Sequence, residues 1–337
     1  MKKLAVSGWW LVLAGCGRYA EFTLPPSLGT PAWVAFRFEV LPEPVLTRGE
    51  PGAWDAVDAL NPSVVRHDGL LHNFYSGFDG RTWHTGLATS TDGLRWEKHG
   101  KVLSPDPHTW EGDYIAANGS ALVVNDQFLY WYQAGRVPSI GLATSRDGRR
   151  WMKRPAPVLK PGPRGSFDEH GVADPYVLRA GGYSYMFYLG QDRARRQCLG
   201  VARSYDGVAW SKLRSNPVLE PGPVGAFDEN GLGEPALWVS HGYYWMLYTG
   251  RDRAQNRRVG LARSRDGVRW ERVSATPVLA GAAAWDSKVV CDPSIDAEAA
   301  PPWRVWFGGG DVARPDERLN GQIGMALIHP VDVKLAK

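Results

Sequence analysis

The sequence predicts an all-β, five-bladed β-propeller with four antiparallel strands per blade, and three observations predict it. A set of short motifs recurs five times at nearly constant spacing, the strands between them are short and bounded by tight turns, and the strand missing from the last repeat stands before the first. Composition agrees, since 16 Trp, 39 Gly and 25 Pro among 337 residues suit many strands and turns better than helices.

The chain opens with Lys2 and Lys3, then an apolar run over residues 4–13, ending in Leu13-Ala14-Gly15-Cys16. Such a run is too short to span a bilayer and reads as the core of a signal peptide. Small residues before a Cys resemble the bacterial lipobox, which implies cleavage before Cys16 and acylation of its thiol. Gly17, not Asp, follows the Cys; by resemblance to the Gram-negative sorting rule this implies the outer membrane or cell surface. The expected organisation is therefore a signal peptide at 1–15, a lipidated Cys16 with a tether over 16–32, and a propeller over 33–337. The lipid bilayer is then one partner. A net charge of +4 without a basic block gives no case for nucleic acid, and a monomer is expected.

The pair Val-Leu marks the five repeats, at Val45, Val102, Val158, Val218 and Val278, spaced by 57, 56, 60 and 60 residues. Each repeat then carries an aromatic–acid pair: Trp54-Asp55, Trp110-Glu111, Phe167-Asp168, Phe227-Asp228 and Trp285-Asp286. Next comes a turn step: Asn61-Pro62, Asn118-Gly119, Asp174-Pro175, Glu234-Pro235 and Asp292-Pro293. An aromatic-rich strand ending in Gly follows, and then a Gly-Leu-Ala-Thr-Ser-like strand. Four repeats close on Ser-x-Asp-Gly-x-x-Trp, ending at Trp96, Trp151, Trp210 and Trp270. Asp-Gly is a strong hairpin signal because both central residues tolerate positive φ. The fifth repeat lacks this last strand, and residues 33–40 are expected to supply it, closing the ring and hiding the edge. The four Trp residues then read as wedges between blades. Cys198 and Cys291 fall in different repeats and are expected to be free thiols.

These residues resemble the five-bladed propeller glycoside hydrolases: families 43, 32, 62, 68, 117 and 130 and their uncharacterised relatives. The resemblance covers residues 33–328 and is specific for the fold, not the substrate. It implies that the inner-strand ends face a funnel at the axis, so the five turn steps would ring one opening. Cleaving a glycosidic bond needs a carboxyl that gives up a proton and a carboxylate that activates water or attacks. Three carboxyls crowded together raise the pKa of at least one. Glu234, with its longer reach, is the expected general acid, and Asp174 and Asp292 are alternative bases.

The pattern departs from family 43, whose resemblance would put acids in the first three blades. Here Asn61 and Asn118 occupy the first two, with Asp58 and Asp113 a few residues earlier as possible stand-ins. Three readings stay open: an inverting hydrolase, a family-130-like phosphorylase, and a non-catalytic glycan-binding lipoprotein. The plain alternative is that Asx-Pro steps only start the strand, which suits Asn61 and fits Glu234 poorly. The loops carrying Arg193 and Arg253 are expected at the funnel rim, where Arg would bind an anionic sugar or phosphate, or pair with neighbouring Asp. Asn61, Asn118, Asp113, His170 and Asn230 are candidate ligand contacts. Trp83 and Trp110 are candidate sugar-stacking rings, whereas Trp54 and Trp285 read as core. No cofactor or metal-ligand spacing is present, although some resembled families hold a cation such as calcium on the axis.

Overall fold

The computed structural model describes residues 18–27, 29 and 34–332. Strand pairing resolves into five four-stranded units in chain order. Blade one runs from the split inner strand Asp58–Leu60 and Val64–His67 through Leu70–Phe78 and Trp83–Ser90 to Glu97–Leu103. Blades two, three and four start at inner strands Ala116–Val124, Gly171–Ala180 and Gly231–Ser240, and each zigzags outward through two further long strands to a short outer one.

Blade five takes Val289–Asp296, Trp303–Gly310 and Gln322–Asp332 from the end of the chain, and Val34–Val40 from its beginning. The N-terminal strand runs antiparallel to the last one, with Phe38 opposite Ile328 and Val40 opposite Ala326. This is the predicted closure; Trp33 itself lies outside the described residues.

Each hairpin Trp wedges against an aromatic ring of the preceding blade. Trp151 meets Phe74, Trp210 meets Trp131, and Trp270 meets Phe187, while Trp96 crosses the closure to Trp306. Phe36 fills the same place in blade five, 4.8 Å from Trp245 and edge-on to it. These contacts bury large apolar surfaces at every blade seam. The hairpin geometry differs from the expected one. Gly93, Gly148, Gly207 and Gly267 have positive φ, but the preceding Asp residues do not, because their carboxylates instead accept two backbone N–H groups each, as Asp92 does from Leu94 and Arg95.

Aromatic–acid pairs build a second repeated device. In blade one the Trp54 ring covers Gly77 and Gly86, where an added Cβ would stand 2.2 Å from the ring. Phe167 does the same over Gly190 and Gly200, and Phe227 over Gly250 and Gly260. That is why in these blades the second strand carries Gly near its end and the third carries Gly at its fourth residue. Beside each ring the acid is buried between a Tyr hydroxyl and an outer-strand cation: Asp55 with Tyr75 and Lys98, Glu111 with Tyr132 and Lys153, Asp168 with Tyr188 and Lys212, Asp228 with Tyr248 and Arg272.

The expected tether is corrected in part. Tyr19–Ala20 pairs beside Ser211–Leu213 as an extra strand of blade three. Phe22 packs on Tyr185, and Leu24 is 2% exposed, its N–H bonded to the Asp266 carbonyl of blade four. Apolar side chains at Phe22 and Leu24 make this segment a strap across the seam of blades three and four. Cys16 and residues 1–17 lie outside the described residues. Cys198 and Cys291 are buried free thiols.

Candidate functional site

At each turn step the inner strand breaks register, as between Ala173 and Tyr176 or between Gly233 and Ala236. The step residues all adopt the left-handed region: Asn61 (φ 48°), Asn118 (49°), Asp174 (46°), Glu234 (50°) and Asp292 (54°). Asn and Asp accept this conformation readily, and Glu does not. The five bulges turn the five side chains toward the axis instead of along the sheet. A bulge holding a residue at unfavourable φ tends to mark a functional position.

The five surround the floor of one funnel-shaped cavity of about 290 Å³. Asn61 N–H donates to Asp292 Oδ2 at 3.3 Å, Asp292 N–H approaches Glu234 Oε2 at 3.4 Å, and Asn118 Nδ2 approaches Asp174 Oδ1 at 3.5 Å. Asp292 is 5% exposed; its Oδ2 also accepts from the Cys291 thiol, while its Oδ1 has no partner. Thr249 Oγ1 accepts the Asp292 N–H, and the Ser76 hydroxyl donates to Asn118. The predicted acids and both predicted Asn residues are therefore brought together.

Burial, then the negative charge of Glu234, raises Asp174 to about 8 and lifts Asp292 well above the ordinary carboxylate range. The funnel floor thus holds one carboxyl, Asp174, that keeps its proton at neutral pH, beside a second, Asp292, whose proton affinity is raised.

The walls differ from expectation. Trp83 lines the cavity but is 4% exposed and stacked on Phe78 at 4.8 Å, so only its edge meets the funnel. Trp110 does not line it; it packs against the core of blade two, in the place that Trp54 holds in blade one. Its sugar-stacking role is corrected accordingly. Asp58, the stand-in acid, is fully buried and accepts N–H groups from Arg318, Leu319 and Gly321, so it anchors a loop. Asp113 is an exposed rim residue, and the side chains of His170 and Asn230 are not part of the cavity lining, although their N–H groups pair with Gln191 and Arg251.

Arg193 and Arg253 turn away from the funnel to pair with Glu169 and Glu229 of their own blades. Arg195, Arg251 and Arg257 line the cavity instead. Arg251 and Arg257 face one another across the hairpin of blade four, in the places of Gln191 and Gln197 in blade three, which also line the cavity. The signal was this matched pair of positions bracketing each Asp-Arg-Ala loop. Tyr114 closes the cavity on the blade-two side and donates its hydroxyl to Glu317 of the blade-five loop at 2.8 Å.

Among the described residues, two sets of side chains have ligand spacing for a metal ion: His67, Asp68 and Asp126 near the surface, and Glu234, Cys291 and Asp292 at the axis. The second set lies beside the buried guanidinium of Arg257, whose charge acts on all three. The Arg257 charge opposes a cation at that place.

This geometry can be set beside known proteins. The Glycosyl hydrolases family 32 N-terminal domain matches residues 61–220. A solved structure described among the GH130 mannoside phosphorylases, a family said to contain glycoside hydrolases that target β-1,2 mannosidic linkages in Candida mannan, aligns at a TM-score of 0.71. It shares 18% identity and covers 90% of this chain and 96% of that one. The fold is that of the propeller glycoside hydrolases. A 1,2-β-oligomannan phosphorylase of Thermoanaerobacter sp. is 25% identical over 166 residues, 48% of this chain and 53% of that protein. An uncharacterised protein of Mycobacterium tuberculosis is 28% identical over 236 residues, 64% of this chain and 75% of that protein. The similar proteins with named activities thus act on glycosidic bonds, by hydrolysis or phosphorolysis.

Proposed function

We propose that the protein is an inverting glycoside hydrolase whose axial carboxyls do the chemistry. The observation that supports this most is the crowding of Asp174, Glu234 and Asp292 at the cavity floor, where burial and mutual charge separate their proton affinities. Sequence reasoning gave the donor role to Glu234 on reach alone. Burial favours Asp174, which holds a proton at pH 7. In this reading Asp174 passes its proton to the glycosidic oxygen as the C1–O bond breaks. Glu234 takes a proton from the water that attacks C1 on the opposite face. Asp292, its proton affinity raised by burial and by Glu234, tunes the other two.

Asp174→Asn and Glu234→Gln should each fold and lose about 10²–10⁴-fold in turnover. The panel should span neutral glycans, beginning with β-1,2-mannooligosaccharides, and uronate-containing oligosaccharides. Wild-type activity should fall as pH rises through about 8, where Asp174 loses its proton. Full activity in either variant would remove that residue from the machinery. Phosphorolysis is the second reading, prompted by the relative's name and the Arg-lined wall; a requirement for inorganic phosphate would establish it over hydrolysis. Saturable glycan binding without turnover would favour a lectin-like lipoprotein.

We further place the protein on the outer membrane or cell surface through acylated Cys16, on the apolar run and small residues before it. Labelling with an alkyne fatty acid should be lost in Cys16→Ser; labelling that persists would refute the anchor.

A further inference from the structure

We propose that the Arg251 side of the funnel is a receptor for a carboxylate carried by the sugar, which makes the substrate a uronic-acid glycan. This rests on the glycoside-cleaving reading and names its substrate class. Arg251 ends the second strand of blade four, and its side chain is 15% exposed. A buried guanidinium is ordinarily matched by a carboxylate and hydrogen bonds. Among the described residues, the Arg251 side chain makes no hydrogen bond. Its ion partner is Asp316, 3.9 Å away and 72% exposed. Arg257 is otherwise engaged, donating to the Pro315 carbonyl, and repels Arg251 from across the hairpin.

The loop that carries Asp316 is pinned on both sides of it. Arg257 holds Pro315, Tyr114 donates to Glu317, and the Arg318 N–H donates to Asp58. Asp316 therefore lies over Arg251 without being fastened to it. The contact shows which group the place admits: a carboxylate at the outer limit of ion pairing. A substrate carboxylate approaching from the cavity could meet the guanidinium fork with two parallel N–H···O bonds and displace Asp316 into water. A neutral hexose would leave the guanidinium with no hydrogen-bonded carboxylate, held by the charges of Glu234 and Asp316. Arg195, on the facing loop of blade three, adds positive charge to the same cavity.

The test is calorimetric titration with glucuronate, galacturonate, glucose, galactose and inorganic phosphate, which needs no turnover. We expect a uronate to bind at least about tenfold more tightly than its matching hexose, a gap of about 1.4 kcal/mol. Arg251→Gln should abolish the gap and Arg251→Lys should keep part of it. Asp316→Asn, on an exposed position, should tighten uronate binding by about threefold through loss of the competing carboxylate. Equal affinity for uronate and hexose, binding of phosphate alone, or no uronate binding overturns the inference. A uronate preference in a protein that cleaves nothing upholds the inference and sinks the enzymatic reading.

Discussion

Carboxyls ring this propeller twice, a fully buried set between the outer strands and a partly buried set around the axis. Asp55, Glu111, Asp168 and Asp228 in the outer belt are at most 2% exposed. Each has a Tyr hydroxyl and a Lys or Arg to itself. Among the described residues, Asp174, Glu234 and Asp292 at the axis have no such dedicated cation, and Asp292 Oδ1 has no hydrogen-bond partner. The difference teaches that burial alone does not make an acid functional. Complete pairing turns a buried carboxyl into a strut, and incomplete pairing leaves it with chemistry to do.

Blade five shows where the outer device stops. Phe307 stands where the other blades place Tyr, and Asp286 instead accepts the Ala283 N–H at 2.9 Å. Its outer strand comes from the other end of the chain, so the repeat that supplies the cation elsewhere is absent.

The largest expected effect is on the outer belt. Lys212→Met should strand Asp168, whose side chain is 1% exposed, and cost about 3–5 kcal/mol in urea denaturation. A loss below about 1 kcal/mol would show that the belt is not structural. Tyr188→Phe, removing one donor from the same acid, should cost less, about 1.5–3 kcal/mol.

The last effect has the opposite sign. Asp174 keeps its proton in the folded state up to about pH 8, facing Glu234, Arg257, Arg251 and Asn118. Its unfolded counterpart ionises near pH 4, so the native state binds more protons between those values and stability falls as pH rises across them. Asp174→Asn should therefore gain on wild type as pH rises, with a higher melting temperature at pH 8 and the gap closing near pH 4. Thermal melts at the two pH values check it; a variant less stable at pH 8 would break the comparison.

Much of this was legible because the repeat constrains it. The Val-Leu spacing and the missing fifth Trp strand specify the ring and its closure, and the turn steps specify the axial residues, since every repeat reports on the same position. Features that depend on one local register were not legible. Whether Arg251 or Arg253 faces the funnel turns on the parity of a hairpin, where one residue reverses the face. Trp110 was misread because a loop ring and a ring over glycines have the same local sequence. The strap at residues 18–24 was hidden because its apolar contacts, Tyr185 and Gly267, are far away in sequence.

The closure of blade five has a consequence for how the molecule comes into being. Among the strands of the five blades, Val34–Val40 comes first in chain order and its partner Gln322–Asp332 comes last. Until that partner arrives, the N-terminal strand has no sheet to join, and blades one to four form an open arc with two unpaired flanks. Joining ends nearly three hundred residues apart is the entropically slowest contact in the chain. A chain lacking Gln322–Asp332 would leave Phe36 and Phe38 without their partner strand and offer a free edge that invites aggregation or proteolysis.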